Sequence, residues 1–333
     1  TLEIAQFGAP KQSIAVTIFK RKAHLQKISH HDLETTLTIS GDNLDRIEFV
    51  RAGINLICRP IGDPVSTPIR NFDCPTELAA NASFPDRVTI QYVDNEPAAS
   101  EFPVSKIAAR PHMISDGPNA ITTRLSVTAL QWNLSQTDQF VSEDSGLGLL
   151  LHAYGGYKLS HGSYQLQLKF SDDPKLDAAP DKNDPQLLSV PLMADLQHNE
   201  LRTKKPITFD SVALPSVVNP IWYRVQQQPS GMTGDWQPLN RAIIYLPQLT
   251  SLTCASDTTL IHGAQLELVD WASAADPLKD ESPKSTMTQC DKEQCLALNG
   301  IASSNKLKVK LHWIDNRVFD VSFPTAPNCA IDK

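Results

Sequence analysis

The sequence has no apolar stretch that approaches the roughly 18 residues a membrane helix needs, and its longest apolar runs are strand-sized. It has no basic stripe. The longest unbroken run of cations, Lys20-Arg21-Lys22, is short and reads as a solvated linker, and the net charge is −7 with a pI near 5.7. Phosphate binding needs clustered Lys and Arg, so nucleic acid is not an expected partner. The start, Thr1-Leu2-Glu3, lacks the basic residues and apolar core of a signal peptide. The expectation is a mature or excised fragment that does not insert in a membrane. No Cys-x-x-Cys pair is present, and the tight spacings of zinc sites are missing.

What is present fits two or three globular domains. The 333 residues are 41% hydrophobic and 20% charged, enough to bury real cores. The chain also resembles itself. Leu25-Gln26-Lys27-Ile28 matches Leu249-Thr250-Ser251-Leu252, Thr35 to Gly41 matches Thr258 to Gly263 with one gap, and Leu44 to Phe49 matches Leu266 to Trp271. Further on, Cys74 aligns with Cys295, Val88 to Asn95 with Val309 to Asn316, and Phe102-Pro103 with Phe323-Pro324. The offset drifts smoothly from 224 to 221 residues, which reads as a duplicated module. The matched segments alternate as strands do: Leu307, Val309, Leu311 and Trp313 share one face, while Lys308, Lys310 and His312 share the other. Each copy spans about 85 residues with several short strands, the size of a β-sandwich.

Thr36-Leu37-Thr38-Ile39-Ser40-Gly41-Asp42-Asn43-Leu44, followed by Ile47, resembles the opening of bacterial immunoglobulin-like modules of the IPT/TIG type. Leu260-Ile261-His262-Gly263-Ala264-Gln265-Leu266 is similar in the second copy. The sequence departs from that family in carrying cysteines and in lacking its later glycine-rich turns. The resemblance implies an immunoglobulin-like sandwich of the kind found in bacterial surface and extracellular proteins, and no activity.

Six cysteines, an even number, fit disulfides formed in an oxidising compartment. Within each copy a cysteine lies upstream of the aligned one, which pairs Cys58 with Cys74 and Cys290 with Cys295. That leaves Cys254 with Cys329. The first copy has His30 and Ala108 at those two places, so both cysteines are absent together, as a bonded pair predicts. Six cysteines allow 15 connectivities, and this set is the expected one among them.

Residues 109 to 245 match neither copy but still read as β. Tyr164, Leu166, Leu168 and Phe170 alternate with Gln165, Gln167 and Lys169. Leu125, Val127, Leu130, Trp132 and Leu134 alternate with one slip, which suggests a bulged strand. Pro215, Pro220 and Pro229 are expected to break the Val217 to Gln228 region into short pieces. The expected architecture is therefore all-β, with tandem immunoglobulin-like sandwiches flanking a different β-sandwich domain. Its parts are an N-terminal strand segment at 1–22, the first module at 23–108, a middle domain at 109–245 and the second module at 246–333.

Chemistry-bearing clusters each have a plainer reading. The loop from Asp172 to Asp184 offers five carboxylates for a hard cation but lacks EF-hand spacing, and reads as a solvated loop. His30-His31-Asp32 reads as a surface turn. Ser160-His161-Gly162-Ser163 lacks the nucleophile elbow and reads as a turn between strands. Gly146-Leu147-Gly148 opens no helix and is too short to cradle a nucleotide. Asn81-Ala82-Ser83 and Asn133-Leu134-Ser135 are glycosylation sequons, relevant only in a eukaryotic secretory host. Tyr154, Tyr157, Trp222, Tyr223 and Trp236 are the candidate ligand-binding residues, because aromatics exposed on a sandwich face stack on sugars.

No catalytic residues, cofactor or metal are expected. The expectation is a non-catalytic structural or adhesive segment of a bacterial surface or extracellular protein, extracellular or periplasmic. Its partner would be a protein or glycan at a surface, or a second copy of the chain. The alternative is a carbohydrate- or ligand-binding module centred on the middle domain, and behind it an enzyme.

Overall fold

A computed structural model describes residues 2–4, 12–14, 23–54, 56–63, 67–75, 84–93, 101–116, 119–171, 187–255, 258–274, 286–290, 293–299, 305–314 and 317–324. The chain divides into two compact units, Thr1–Arg110 and Pro111–Lys333. Described helix is confined to one short α-helix and two 3-10 turns; the other elements are strands.

In the first unit, Leu2–Ile4 pairs with Gln12–Ile14 in a sheet of its own. Eight further strands form a sandwich. The strand His24–His31 pairs with Thr36–Asp42 and, in parallel, with Ser105–Ile107. Thr36–Asp42 also pairs with Ile69–Asp73. The strand Leu56–Pro60 pairs with both Ile69–Asp73 and Ile47–Ala52, so it joins the two layers. Alternation places Leu37, Ile39, Val50, Phe72, Val88 and Ile90 in the core between them. Cys58 and Cys74 are bonded within this core. Their sequence separation is 16, and a loop of that length stabilises by about 3 kcal/mol in the chain-entropy account. Reduction should lower the stability of this unit by that amount, read as a fall in the urea midpoint. No shift in the midpoint would contradict it.

The region from Gln248 to Ser322 forms two layers of four and three strands. One is ordered Gln248–Ala255, Thr258–Ala264, Glu293–Asn299, Thr286–Cys290; the other Val269–Ala274, Lys306–Leu311, Val318–Ser322. In chain-order letters these are A-B-E-D and C-F-G, the strand order of an immunoglobulin constant-type sandwich. The domain is immunoglobulin-like.

Local irregularities in the two sandwiches correspond. Each first strand carries a register shift at the same point, Leu25/Lys27 and Leu249/Ser251. Opposite it stands a glycine: a Cβ on Gly41 would lie 2.0 Å from the His24 carbonyl oxygen, and one on Gly263 2.2 Å from that of Gln248. Each sandwich then makes a 3-10 turn entered by a left-handed residue, Asn43 or Gln265. Each third strand shifts again, at Ile47/Phe49 and Val269/Trp271.

The pairing differs from the sequence alignment in two places. Ile90 faces Val50 as Val309 faces Ala272, an offset of 219 rather than 221. A slip of two residues leaves every side chain on its own face, so alternation cannot detect it. Cys295 lies opposite His262 as Ile69 lies opposite Ser40, whereas Cys74 follows the far end of that strand. Cys74 and Cys295 are therefore not equivalent. Cys290 and Cys295 are bonded across a hairpin. Cys254 is also disulfide-bonded, and Cys329 lies outside the described residues.

The middle region is one nine-stranded sheet. Its path runs Met113–Ile114, Gly146–Ala153, Glu200–Thr203, Leu187–Asp195, Ser163–Phe170, Val218–Gln228, Gln237–Ile244, Phe140–Ser142, with Ile121–Arg124 paired on Gly146–Ala153. Gly146 and Gly148 sit in a strand and admit close neighbours, since added Cβ atoms would meet Pro206 at 2.8 Å and Thr122 at 2.5 Å. Contrary to the expected short pieces, Val218–Gln228 is one strand of 11 residues. Pro220 is absorbed at a bulge within it, and Pro229 follows its end. The expected bulged strand from Leu125 to Leu134 is instead an α-helix, Val127–Gln131. Ser126 is its N-cap, accepting from the Ala129 amide at 2.9 Å, a signal that the alternating apolar residues concealed.

This helix joins the middle sheet to the C-terminal sandwich. Trp132 is fully buried; its Nε1 donates to the Pro247 carbonyl at 3.0 Å and its ring meets Phe319 edge-on at 5.5 Å. Gln131 donates to the Leu249 carbonyl at 2.6 Å. Asp138 accepts two hydrogen bonds from Arg317, whose guanidinium also lies over the rings of Phe140 and Phe319. A single apolar core runs from Ala129 through Ile244 and Leu246 to Phe319 and Phe323. The boundary expected at 245/246 falls inside it.

Candidate functional site

The strands Ser163–Phe170, Val218–Gln228 and Gln237–Ile244 place the expected ligand-binding aromatics. Neighbouring residues of a strand point to opposite faces. Tyr223 therefore enters the core and Trp222 faces outward, half-buried. The structure thus separates these two.

Tyr223 joins Tyr154 through Gln237. The Tyr223 hydroxyl donates to Gln237 Oε1 at 2.9 Å and accepts from the Ser115 amide at 2.8 Å, while Gln237 Nε2 donates to the Tyr154 hydroxyl at 3.3 Å. Burial pushes the Tyr223 phenol up to about 12. Tyr154, 40% exposed, stacks on His112, and buried Tyr157 lies tilted to that imidazole with ring centroids 6.4 Å apart. Burial raises the Tyr157 phenol as well. Trp236 is largely covered and packs 4.4 Å over the Arg224 guanidinium, which donates to Gln167 at 2.7 Å. Tyr157, Tyr223 and Trp236 thus serve internal packing and hydrogen bonding, and Tyr154, the most exposed of the five, is held by His112 and Gln237.

Trp222 is different. The bulge between Pro220 and Trp222 re-aims the strand, and Trp222 lines a surface concavity of about 420 Å³. Pro220 and Pro238 flank it, and Gln139, Asn240 and Arg241 supply polar groups. The volume lies in the usual ~300–1,000 Å³ of small-ligand sites. Arg241 is half-buried, and no described residue hydrogen-bonds or ion-pairs with its guanidinium. Burial lowers its pKa, against the opposing influence of Asp138. The Asp138 carboxylate is already engaged. Burial alone would raise its pKa, but Arg317 and the backbone around Ser135 and Phe140 hold it below the ordinary range. Gln139, Asn240 and Arg241 carry no sequence signal that separates them from solvated surface residues.

The other clusters are structural where described. His30 is not in a turn but in the strand His24–His31, buried and stacked on Phe84 at 3.9 Å. Its Nε2 lies 2.9 Å from the Glu34 carbonyl, so Nε2 carries the proton, and buried Nδ1 has no partner. Desolvation lowers the pKa of His30 below 6.5. A lowered folded pKa means that the unfolded chain takes up the proton first. The first unit should therefore be fully stable above pH 6.5 and lose stability below it, by no more than about 1.4 kcal/mol per pH unit, the limit for one proton. Hydrogen exchange of Thr36–Asp42 at pH 7.5 and 5.5, corrected for intrinsic rates, should show the loss, and His30→Phe should flatten it. An equal loss in that variant would contradict the assignment.

Ser160 accepts from Gln227 at 2.6 Å, and its backbone exchanges hydrogen bonds with the Tyr164 hydroxyl; His161 is exposed. Asn133 is exposed after the helix. The acidic loop 172–184, Lys20 to Lys22 and Asn81 lie outside the described residues. Among the described residues, no group of three His, Cys, Asp or Glu side chains could hold a metal ion, and no helix is long and apolar enough to cross a membrane.

No family model matches the chain, the IPT/TIG type included, and no curated protein matches it. Solved structures similar to it include the I9–I11 tandem from titin, at 7% identity and a TM-score of 0.19 over 92% of this chain and 100% of that one. A second is a 1.5-MDa bacterial ice-binding adhesin, at 10% and 0.21 over 92% and 96%. A third is the extracellular region of plexin A4, at 7% and 0.19 over 90% of this chain. The chain spans 43% of that plexin's length.

Proposed function

We propose that this chain is a non-catalytic structural or adhesive segment of a bacterial surface or extracellular protein, built from two copies of one IPT/TIG-type module around a middle sheet. The observation that carries the reading is the continuous core from Ala129 to Phe323. It ties the helix and the strands at Phe140 and Ile244 on one side of the middle sheet to the C-terminal sandwich, a join suited to a spacer or adhesive arm. The disulfides fit an oxidising compartment. His30 and Ser160, the residues most suggestive of catalysis, are occupied in packing and hydrogen bonding. Extension of the oxidised full chain between optical traps tests the reading. Residues 111–333 are expected to open in one event, at a force well above that for the same chain carrying Trp132→Ala. Separate opening of the C-terminal sandwich at one force in both chains would remove its basis.

A second reading, a carbohydrate-binding module centred on the middle domain, is favoured by one observation: the concavity that half-buried Trp222 lines together with Gln139, Asn240 and Arg241.

A further inference from the structure

We infer that the Trp222 concavity binds an acidic carbohydrate, a sugar carrying a carboxylate, with Arg241 as the residue that selects the acid. This rests on the carbohydrate reading and adds the ligand's charge to it. Sugar rings have an apolar C–H face and a polar edge. Trp222, flanked by Pro220 and Pro238, offers a surface for the first, and the amides of Gln139 and Asn240 offer donors and acceptors for the second. Neither feature discriminates charge. Arg241 does.

A half-buried guanidinium is ordinarily satisfied by a carboxylate or by carbonyl oxygens, because burial weakens its hydration. Arg317 obeys this rule, donating to both oxygens of Asp138; Arg224 obeys it in part, donating through Nε to Gln167 and packing on Trp236 while its buried Nη2 has no partner. Arg241 lines the concavity without such a partner among the described residues. The nearby Asp138 cannot supply one, since Arg317 and backbone groups take up its oxygens. The site therefore holds, beside an aromatic face, a positive charge that Asp138 offsets through space without a direct hydrogen bond. A carboxylate on the ring stacked at Trp222 would complete the Arg241 donor set by charge-assisted, bidentate hydrogen bonding. A free peptide carboxylate would satisfy Arg241 equally, but would leave Trp222 and the two amides without a matching ring.

Titration calorimetry on the oxidised full chain decides this with three probes: a glucuronate tetrasaccharide, the matching glucose tetrasaccharide, and an N-acetylated tetrapeptide with a free C-terminal carboxylate. The acidic sugar should bind about tenfold or more tightly than the neutral one, the difference a charge-assisted pair supplies. Arg241→Gln should abolish that preference while retaining weak neutral binding, and Trp222→Ala should remove binding of both sugars. Equal binding of both sugars, lost in Trp222→Ala, would overturn the role of Arg241 and keep the carbohydrate reading. Binding of neither sugar would overturn both. Binding of the peptide alone would replace the carbohydrate with a protein terminus.

Discussion

Trp132→Ala is expected to destabilise residues 111–333 by about 3–5 kcal/mol, the usual cost of truncating a fully buried large aromatic. The substitution removes more than volume. It deletes the indole donor to the Pro247 carbonyl and the edge contact with Phe319, two of the contacts that cross from the middle sheet to the C-terminal sandwich. A second expectation follows from that position. Parent residues 111–333 should unfold in one calorimetric transition, and the variant should show the C-terminal sandwich melting first. All five tryptophans lie in this unit, so indole fluorescence follows it without contribution from residues 1–110. A variant that melts lower but still in one transition would mean that Arg317 on Asp138, Phe140 and Phe319 holds the join without Trp132.

Gly41→Ala and Gly263→Ala should each destabilise their own unit by about 2–3 kcal/mol or more, the scale of a strained backbone position with an added clash. At each site the new methyl would sit 2.0–2.2 Å from a backbone carbonyl oxygen of the bulged partner strand. Backbone cannot rotate away as a side-chain tip can. Gly41 also has φ +153°, a conformation that side chains with a Cβ disfavour. Denaturant melts read by circular dichroism for Gly41→Ala, and by indole fluorescence for Gly263→Ala, should show the two losses. A large loss at one site and none at the other would contradict the shared geometry of the two bulges.

These glycines also mark how far the sequence could be read. The first half of each sandwich was legible, because the Gly41 and Gly263 turns, the Leu44 and Leu266 turns and the third strands keep one register. The later strands were legible in face but not in register, since sliding Val309 from Val88 to Ile90 preserves alternation. Cysteine identity then misled: Cys74 and Cys295 align by residue type but occupy opposite ends of a strand. The helix at Val127 was hidden because Val127 and Leu130, apolar in sequence, point to solvent, while Ala129 and Trp132 carry its burial. Trp313, expected on the core face with Leu311, lies beyond the strand end and is 70% exposed. Of the candidate site, Trp222 was legible as an aromatic on an alternating strand. Arg241 was not, because what distinguishes it is the engagement of Asp138 by Arg317, 179 residues away in sequence.

The middle sheet and the C-terminal sandwich are expected to fold as one body. Native-state hydrogen exchange on the oxidised full chain, followed by mass spectrometry across a denaturant series, tests it most directly. The slowest amides of Ser163–Phe170 and Val218–Gln228 in the middle sheet, and of Thr258–Ala264 and Lys306–Leu311 in the sandwich, should converge on one opening free energy with one denaturant dependence. Protection in Thr258–Ala264 and Lys306–Leu311 that is lost at a distinctly lower free energy, while the middle sheet stays closed, would contradict it.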